Sequence, residues 1–342
     1  EVLQMKMRKR LIAISLVLGM TAGLAACGNK TNQNGEQNFF LKLRNYRAEG
    51  SVADVEINKF ADEVNAADDS LEVWVYPAAQ LGDYTTVQEL VSIGDVEMQF
   101  ATLGTSVDKY LGITSAPYIC SNWDDAYKIF NRDSEFTATI AEHLADQNIK
   151  LLSVYPLYFG GAIMNKEVDD PASMKNQGIK VRCQTMKGPE LVTTMLGYIA
   201  TPMALNDCFT SLQTGVIDGM IGSGAEGYYS SYRDVAKYYL PYNDHFEVWY
   251  LYINMDKWDE MSKKQQEVLQ TAANHLEDER WKEAPTQTEE YEQKLEDYGV
   301  QIINFTDEEL DTFYERCQKE VWPKLTELYG QEAVDMVQNL TK

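Results

Sequence analysis

The sequence predicts a two-domain α/β protein with a ligand cleft between the domains and a long helix spanning both. Three observations carry this reading. The chain has 342 residues, more than one ordinary hydrophobic core serves. Strand-like and helix-like segments alternate through most of it, the pattern of parallel sheets joined by crossover helices. A unit of strand, proline, loop, helix, glycine and strand occurs at 71–102 and recurs at 197–223, which implies two domains of one design.

Phe39-Phe40-Leu41-Lys42-Leu43-Arg44 reads as the opening strand. Val52, Val55, Phe60 and Val64 have helical spacing, and Leu71–Pro77 (LEVWVYP) alternates as a strand. Tyr84 to Ile93 reads as a helix closed by Gly94, a residue suited to the left-handed position after a helix end. VEMQFATLG is a strand running into a loop. In the second unit GYIATP leads to a helix over Asp207–Thr214, then Gly215 and the strand VIDGMIGS. Aligned on the two glycines, Thr102 matches Ser223. Ligands bind outside the carboxyl ends of parallel strands. Residues 99–106 and 220–226, with Gly222 and Ser223, are therefore the expected opposing walls. Further on, Ser262-x-x-Gln265 and Thr306-x-x-Glu309 are capping boxes. Asp259 to about Tyr298 reads as a long helix containing Pro285, so a kinked helix or two abutting helices are expected across both domains. The boundaries that follow are 39–157 plus 248–287 for one domain and 158–247 plus 288–342 for the other.

Composition narrows the function. The chain is 44% apolar and 24% charged, with a net charge of −23, which argues against a nucleic-acid partner. Catalytic signatures are absent: there are 3 histidines (His143, His245, His275), no HExxH and no GxSxG. His245 is either structural or a ligand contact. Gly222-Ser-Gly224-Ala-Glu-Gly227 matches GxGxxG, but the tyrosine-rich segment after it lacks the second strand and acid of a dinucleotide fold, so a glycine-rich cleft wall is the better reading. Cys120, Cys183, Cys208 and Cys317 show no metal spacing; they are buried thiols or include a disulfide, with Cys183–Cys208 the pair to test first. No enzyme activity, cofactor or metal is expected.

The N-terminal segment is an address. Lys6, Arg8, Lys9 and Arg10 precede an apolar run from Leu11 to Gly23, too short to span a bilayer comfortably. Leu24-Ala25-Ala26-Cys27 resembles a bacterial lipobox, which implies cleavage after residue 26 and a lipid on Cys27; the alternative is a plain secretory signal. Residues 27–38 are polar and read as a flexible tether.

Aromatic residues are abundant, with 21 tyrosines and 6 tryptophans. Most pack cores; Tyr76, Tyr155, Tyr158, Phe159 and Trp249 are the candidates for cleft walls. GIKVRC puts Ile179, Val181 and Cys183 on one strand face, and Lys180 and Arg182 on the other.

Four segments together carry a family signature. EVWVYPAAQLGDYTTVQELVSIGDVEMQFAT resembles the Tyr-Pro-x-x-Gln-Leu-Gly, helix, Gly-Asp segment of the DctP family of TRAP transporter solute-binding proteins. MKNQGIKVRCQ resembles its arginine strand, GYIATPMALNDCFTSLQTGVIDGMI its Pro-Met, helix, Asp-Gly segment, and INMDKWDEMSKKQQEVLQTAA its crossover and long helix. The resemblance runs from about residue 40 to 335. It implies a periplasmic-binding-protein-like fold that closes on a small carboxylate and delivers it to an ion-driven TRAP permease. It implies that Arg182 pairs with the ligand carboxylate, as a planar guanidinium does with two parallel donors.

The chain departs from the family pattern twice. Gly160, Gly161 and Ala162 stand where many members carry a second arginine, ahead of Asn165-Lys166; Met220-Ile221-Gly222-Ser223 replaces Gln-Glu-Asn-Pro. Both losses are expected to enlarge the cleft, which points to a monocarboxylate with a larger, apolar or aromatic body. Arg44 and Arg47 are candidates for a substitute cation. Two other readings stand beside this one: a binding protein of an ATP-driven importer or sensor, which would lack the long helix, and a cell-surface hydrolase, which lacks a nucleophile motif.

Overall fold

A computed structural model describes residues 36–78 and 80–340. Cys27 and the signal and lipobox readings lie outside the described residues. The first sheet forms from β1 (Phe39–Asn45), β2 (Leu71–Tyr76), β3 (Met98–Ala101), β4 (Ile149–Phe159) and β10 (Phe246–Asn254), in the order β2-β1-β3-β10-β4. β1, β2 and β3 are parallel; β10 runs antiparallel to β3 and β4. The second sheet holds β5 (Ala162–Met164), β6 (Lys180–Cys183), β7 (Ile199–Pro202), β8 (Gly219–Ile221), β9 (Tyr238–Leu240) and β11 (Gln301–Ile302), in the order β11-β9-β5-β8-β6-β7. β6 is parallel to both neighbours.

The helices start where capping chemistry allows. Ser51 caps α1 (Val52–Ala67) by accepting from the Asp54 amide, and Asp83 caps α2 (Tyr84–Ser92) by accepting from the Thr85 amide. Gly94 follows α2 at φ +81°, and Gly215 follows α6 (Cys208–Thr214) at φ +75°, so both glycines stand where the sequence placed them. Intervening helices are α3 (Trp123–Phe130), α4 (Glu135–Ala145) and α5 (Lys187–Met195); α7 (Ala225–Tyr232) and α8 (Met255–Glu260) follow.

The chain passes from the first sheet to the second through Gly160-Gly161 and returns between Leu240 and Phe246. Bridging both sheets is α9 (Lys263–Tyr298), which packs against α1 and β4 on one side and α7 and β11 on the other. It runs unbroken through Pro285 rather than as two abutting helices. One missing donor is tolerated because packing at both ends holds the helix. Its start lies later than expected: the Ser262–Gln265 capping box separates it from α8. The Thr306–Glu309 box opens α10 (Asp307–Glu320), which leads into α11 (Trp322–Tyr329) and α12 (Gln331–Leu340).

α9 is tied to the strand crossing by a buried cation. Arg280 Nε donates to the Pro156 carbonyl at 2.7 Å and Nη2 to the Leu157 carbonyl at 3.0 Å. Both carbonyls lie where the β4–β10 register shifts, so the arginine holds backbone that the ladder leaves irregular. Glu56 of α1 lies 3.4 Å from Nη1 and accepts from Tyr155 Oη at 2.7 Å. Arg280→Ala is expected to strand the Glu56 carboxylate and cost about 3–5 kcal/mol in urea unfolding, much of it recovered when Glu56→Gln is added. Equal stability of wild type and Arg280→Ala would remove this role.

Candidate ligand-binding site

Parallel strands β1, β3, β6, β7 and β8 send their carboxyl ends toward a shared cleft of about 290 Å³. Tyr46 and Arg47 follow β1, Thr102 follows β3, Gln184–Met186 follow β6, Met203–Leu205 follow β7, and Gly222 follows β8. Asp83 and Tyr84 come from the start of α2, and Asp244, His245, Glu247 and Trp249 from the return crossing and β10.

Arg182 is the most rigidly placed group. On β6 the alternation holds: Val181 and Cys183 are core residues, Lys180 is exposed, and Arg182 is only 4% exposed. Its Nε donates to the Met203 carbonyl and its Nη1 to the Ile221 carbonyl, each at 2.9 Å. Those carbonyls belong to the residue just after β7 and the last residue of β8, the strands on either side. Nη2 has no hydrogen-bond partner among the described residues and stands on the cleft wall with its donors free.

Arg47 reaches the same cleft from the first sheet. Its Nη2 donates to Tyr158 Oη at 3.0 Å, and its guanidinium lies 5.1 Å from the Trp249 ring. Burial disfavours the cation, but the oxygens of Tyr158, Glu226 and Glu247 more than offset this and raise its pKa. Arg44 does not reach the cleft. It is fully buried, donates through Nη2 to the Gly82 carbonyl at 2.7 Å and lies 4.7 Å over the Tyr46 ring. Burial lowers its pKa, partly countered by Tyr252, Tyr46 and Asp83. With Gln99, which donates to the Tyr84 carbonyl at 2.9 Å, it holds the segment that carries Asp83 and Tyr84.

The structure brings Arg182, Thr102, Gly222, Trp249 and Arg47 together on one wall or the other. The other candidates lie elsewhere. Tyr158 stands behind Arg47 as its hydrogen-bond partner, and Ser223 is buried with its amide donating to Tyr228 Oη at 3.3 Å. Phe159 packs at 5.4 Å from Trp123 and 5.0 Å from Phe246, in the core. Tyr155 faces Glu56, and Tyr76 pairs beside Arg44 at the end of β2. Cys183 and Cys208 are buried and free, as are Cys120 and Cys317.

The glycine replacements do not open the cleft as expected. A Cβ on Gly160 would lie 2.1 Å from the His245 ring, and one on Gly161 would lie 2.6 Å from the Leu240 carbonyl. Gly222, at φ +98°, would meet Gln184 Nε2 at 2.5 Å. The room left by missing side chains is filled by neighbours, chiefly His245 and Gln184. Sequence reasoning named Arg47 after β1 but missed Tyr46 beside it and the walls after β6 and β7, although the rule applied to β3 and β8 holds equally there.

His245 is buried, with Nδ1 2.8 Å from Asp244 Oδ2 and Nε2 3.9 Å from Glu247 Oε2. Burial lowers its pKa, but the Asp244 and Glu247 carboxylates outweigh this and raise it above 6.5.

These features define a class: a two-domain protein built to hold a small molecule between its sheets. The family model for bacterial extracellular solute-binding proteins, family 7 (DctP), matches residues 45–327. The chain therefore belongs to that family, whose members are extracytoplasmic binding proteins. A solute-binding protein of Chromohalobacter salexigens is 30% identical over 265 residues, covering 73% of this chain and 75% of that one. Among solved structures, a TRAP periplasmic solute-binding protein from Chromohalobacter salexigens with bound D-glucuronate is 24% identical, with a TM-score of 0.79 over 88% of this chain and 99% of that one. The sugar-acid-binding protein DctPAm from Advenella mimigardefordensis, in complex with galactonate, is 19% identical, with a TM-score of 0.80 over 89% and 98%. Among the described residues no helix is long and apolar enough to cross a membrane.

The raised pKa of His245 has a signed consequence. Its contribution to stability is complete below the ordinary histidine pKa of 6.5 and is lost as pH rises through the folded value. Thermal melts of wild type and His245→Gln across this range should converge toward alkaline pH. A constant gap between them would show that the imidazole does not titrate in this way.

Proposed function

We propose that this protein captures a small organic acid in the cleft, with Arg182 as the carboxylate anchor and Arg47 as a second cation from the opposite sheet. It delivers the acid to a TRAP-type membrane permease and is held at the cell membrane by a lipid on Cys27. Residues 39–157 plus 248–287 and 158–247 plus 288–342 are the two lobes that close on the ligand. The observation that carries the reading is the Arg182 guanidinium, fixed by two main-chain carbonyls while Nη2 is left free at the cleft. A fixed donor loses little rotamer entropy on binding and pairs well with a carboxylate. The relatives that bind D-glucuronate and galactonate support an acid as ligand.

Asp83, Asp244 and Glu247 on the lining oppose a second negative charge, which favours a monocarboxylate. Met186, Pro189, Val192, Met203, Leu205 and Trp249 give its body an apolar surface.

Screening carboxylates by thermal shift identifies the ligand, since a bound ligand at 100 times its Kd stabilises by about 2.7 kcal/mol. Arg182→Ala should then weaken binding by roughly 30-fold or more in calorimetry, because losing one partner of a desolvated charge pair costs about 2–5 kcal/mol. Binding within about threefold of wild type would remove Arg182 as anchor. Arg47→Met should weaken the same ligand less, by about tenfold, as expected for a cation already shared with Tyr158. An unchanged affinity would restrict Arg47 to a structural part.

A further inference from the structure

A receptor for an acid has no evident use for carboxylates on its cavity wall, yet here they equal the cations. Arg47, Arg182 and His245 face Asp83, Asp244 and Glu247. Asp244 is held by His245 Nδ1 at 2.8 Å. Glu247 is held on one side only: Oε1 accepts from Trp249 Nε1 at 2.7 Å. Its Oε2 lies 3.9 Å from His245 Nε2, beyond hydrogen-bond reach, and accepts no hydrogen bond among the described residues. The Glu247 side chain is 16% exposed, so that oxygen keeps limited contact with water and has no protein donor. Gln184 Oε1, also on the lining residues, is buried without a partner. The cavity wall therefore holds unpaired acceptors (Asp244 Oδ1, Gln184 Oε1 and Glu247 Oε2) beside the unpaired nitrogens Arg47 Nε and His245 Nε2, and a simple carboxylate serves only donors.

We propose that the ligand is a zwitterion, whose carboxylate meets Arg182 and whose protonated amine meets Glu247 Oε2. The inference rests on the reading of Arg182 as a carboxylate anchor. Charge decides between an amine and a hydroxyl. Three basic and three acidic side chains line the cavity, and a zwitterion adds no net charge to them. A simple carboxylate adds one uncompensated negative charge and a dicarboxylate adds two. A hydroxyl satisfies a lone pair on Glu247 but not its charge.

The test compares amino acids with the same acids lacking the amine, by calorimetry on the wild-type chain. The pairs are phenylalanine against 3-phenylpropanoate, leucine against 4-methylpentanoate, and 2- and 5-aminopentanoate against pentanoate, which together vary the distance between amine and carboxylate. At least one amino acid should bind about 30-fold or more tightly than its deaminated partner, the loss expected when a charge pair is left incomplete. Glu247→Gln keeps an oxygen for Trp249; it should weaken that amino acid about tenfold or more without weakening its deaminated partner, which meets one like charge fewer on the wall. Deaminated acids binding as tightly as the amino acids, and losing affinity in Arg182→Ala, overturn the zwitterion and leave the carboxylate reading intact. Failure of every pair to bind overturns both. Amino-acid binding that Glu247→Gln leaves unchanged, in a variant that melts like wild type, overturns the role of Glu247.

Discussion

The cleft depends on one constraint: a guanidinium held between two strand ends. β6 lies between β8 and β7, and Arg182 reaches to both sides to bind the carbonyls of Ile221 and Met203. At the last residues of a parallel sheet the ladder runs out, and such carbonyls need donors from elsewhere. Arg182 supplies them, and the carbonyl dipoles in turn compensate the buried cation. This mutual satisfaction fixes the side chain, so the donors that remain free point to one place. The other lining groups take their meaning from that fixed point, whether they stand beside it (Met203, Gln184) or across from it (Arg47, Trp249).

The second theme is that the residues joining the sheets are also residues of the cleft. The chain leaves the first sheet through Gly160-Gly161, and the absent Cβ of Gly160 admits the His245 ring from the returning segment. His245 carries Asp244 on one nitrogen, and Glu247 and Trp249 follow on β10. Behind this crossing Arg280 holds the carbonyls of Pro156 and Leu157 to the long helix. A ligand touching Arg182, Arg47 and Glu247 therefore touches both sheets and the connection between them. This is the geometry expected of a binding protein that converts occupancy into a change between two lobes.

Much of the fold was legible because its signals are local. Gly94 and Gly215 end their helices in left-handed conformations that other residues adopt at a cost. Ser262 and Thr306 start helices through side chains that reach amides three residues away. GIKVRC declared its two faces by a period of two. Part of the site was legible for a related reason: Thr102, Gly222 and Arg182 lie at the carboxyl ends of recognisable parallel strands. Phe159 and Tyr155 misled because aromatic composition does not say which face of β4 meets the core. The glycines at 160, 161 and 222 misled because a missing side chain leaves open what fills its place.

By itself the sequence determined the alternation of elements, the helix ends, the family and the cation, Arg182, that stands on the cleft wall. Each of these is encoded within a few residues or by a pattern along the chain. The tertiary structure alone decided that Arg47 rather than Arg44 enters the cleft, although both leave the same strand. The reason is position plus surroundings: Arg44 lies within β1, buried, and binds the Gly82 carbonyl, while Arg47 lies past the strand end, where it meets Tyr158 and Trp249 at the cleft. It also decided that acids stand among the cations, since Asp83 lies far along the chain from Asp244 and Glu247, and these acids meet Arg182 only when two sheets close around one cavity.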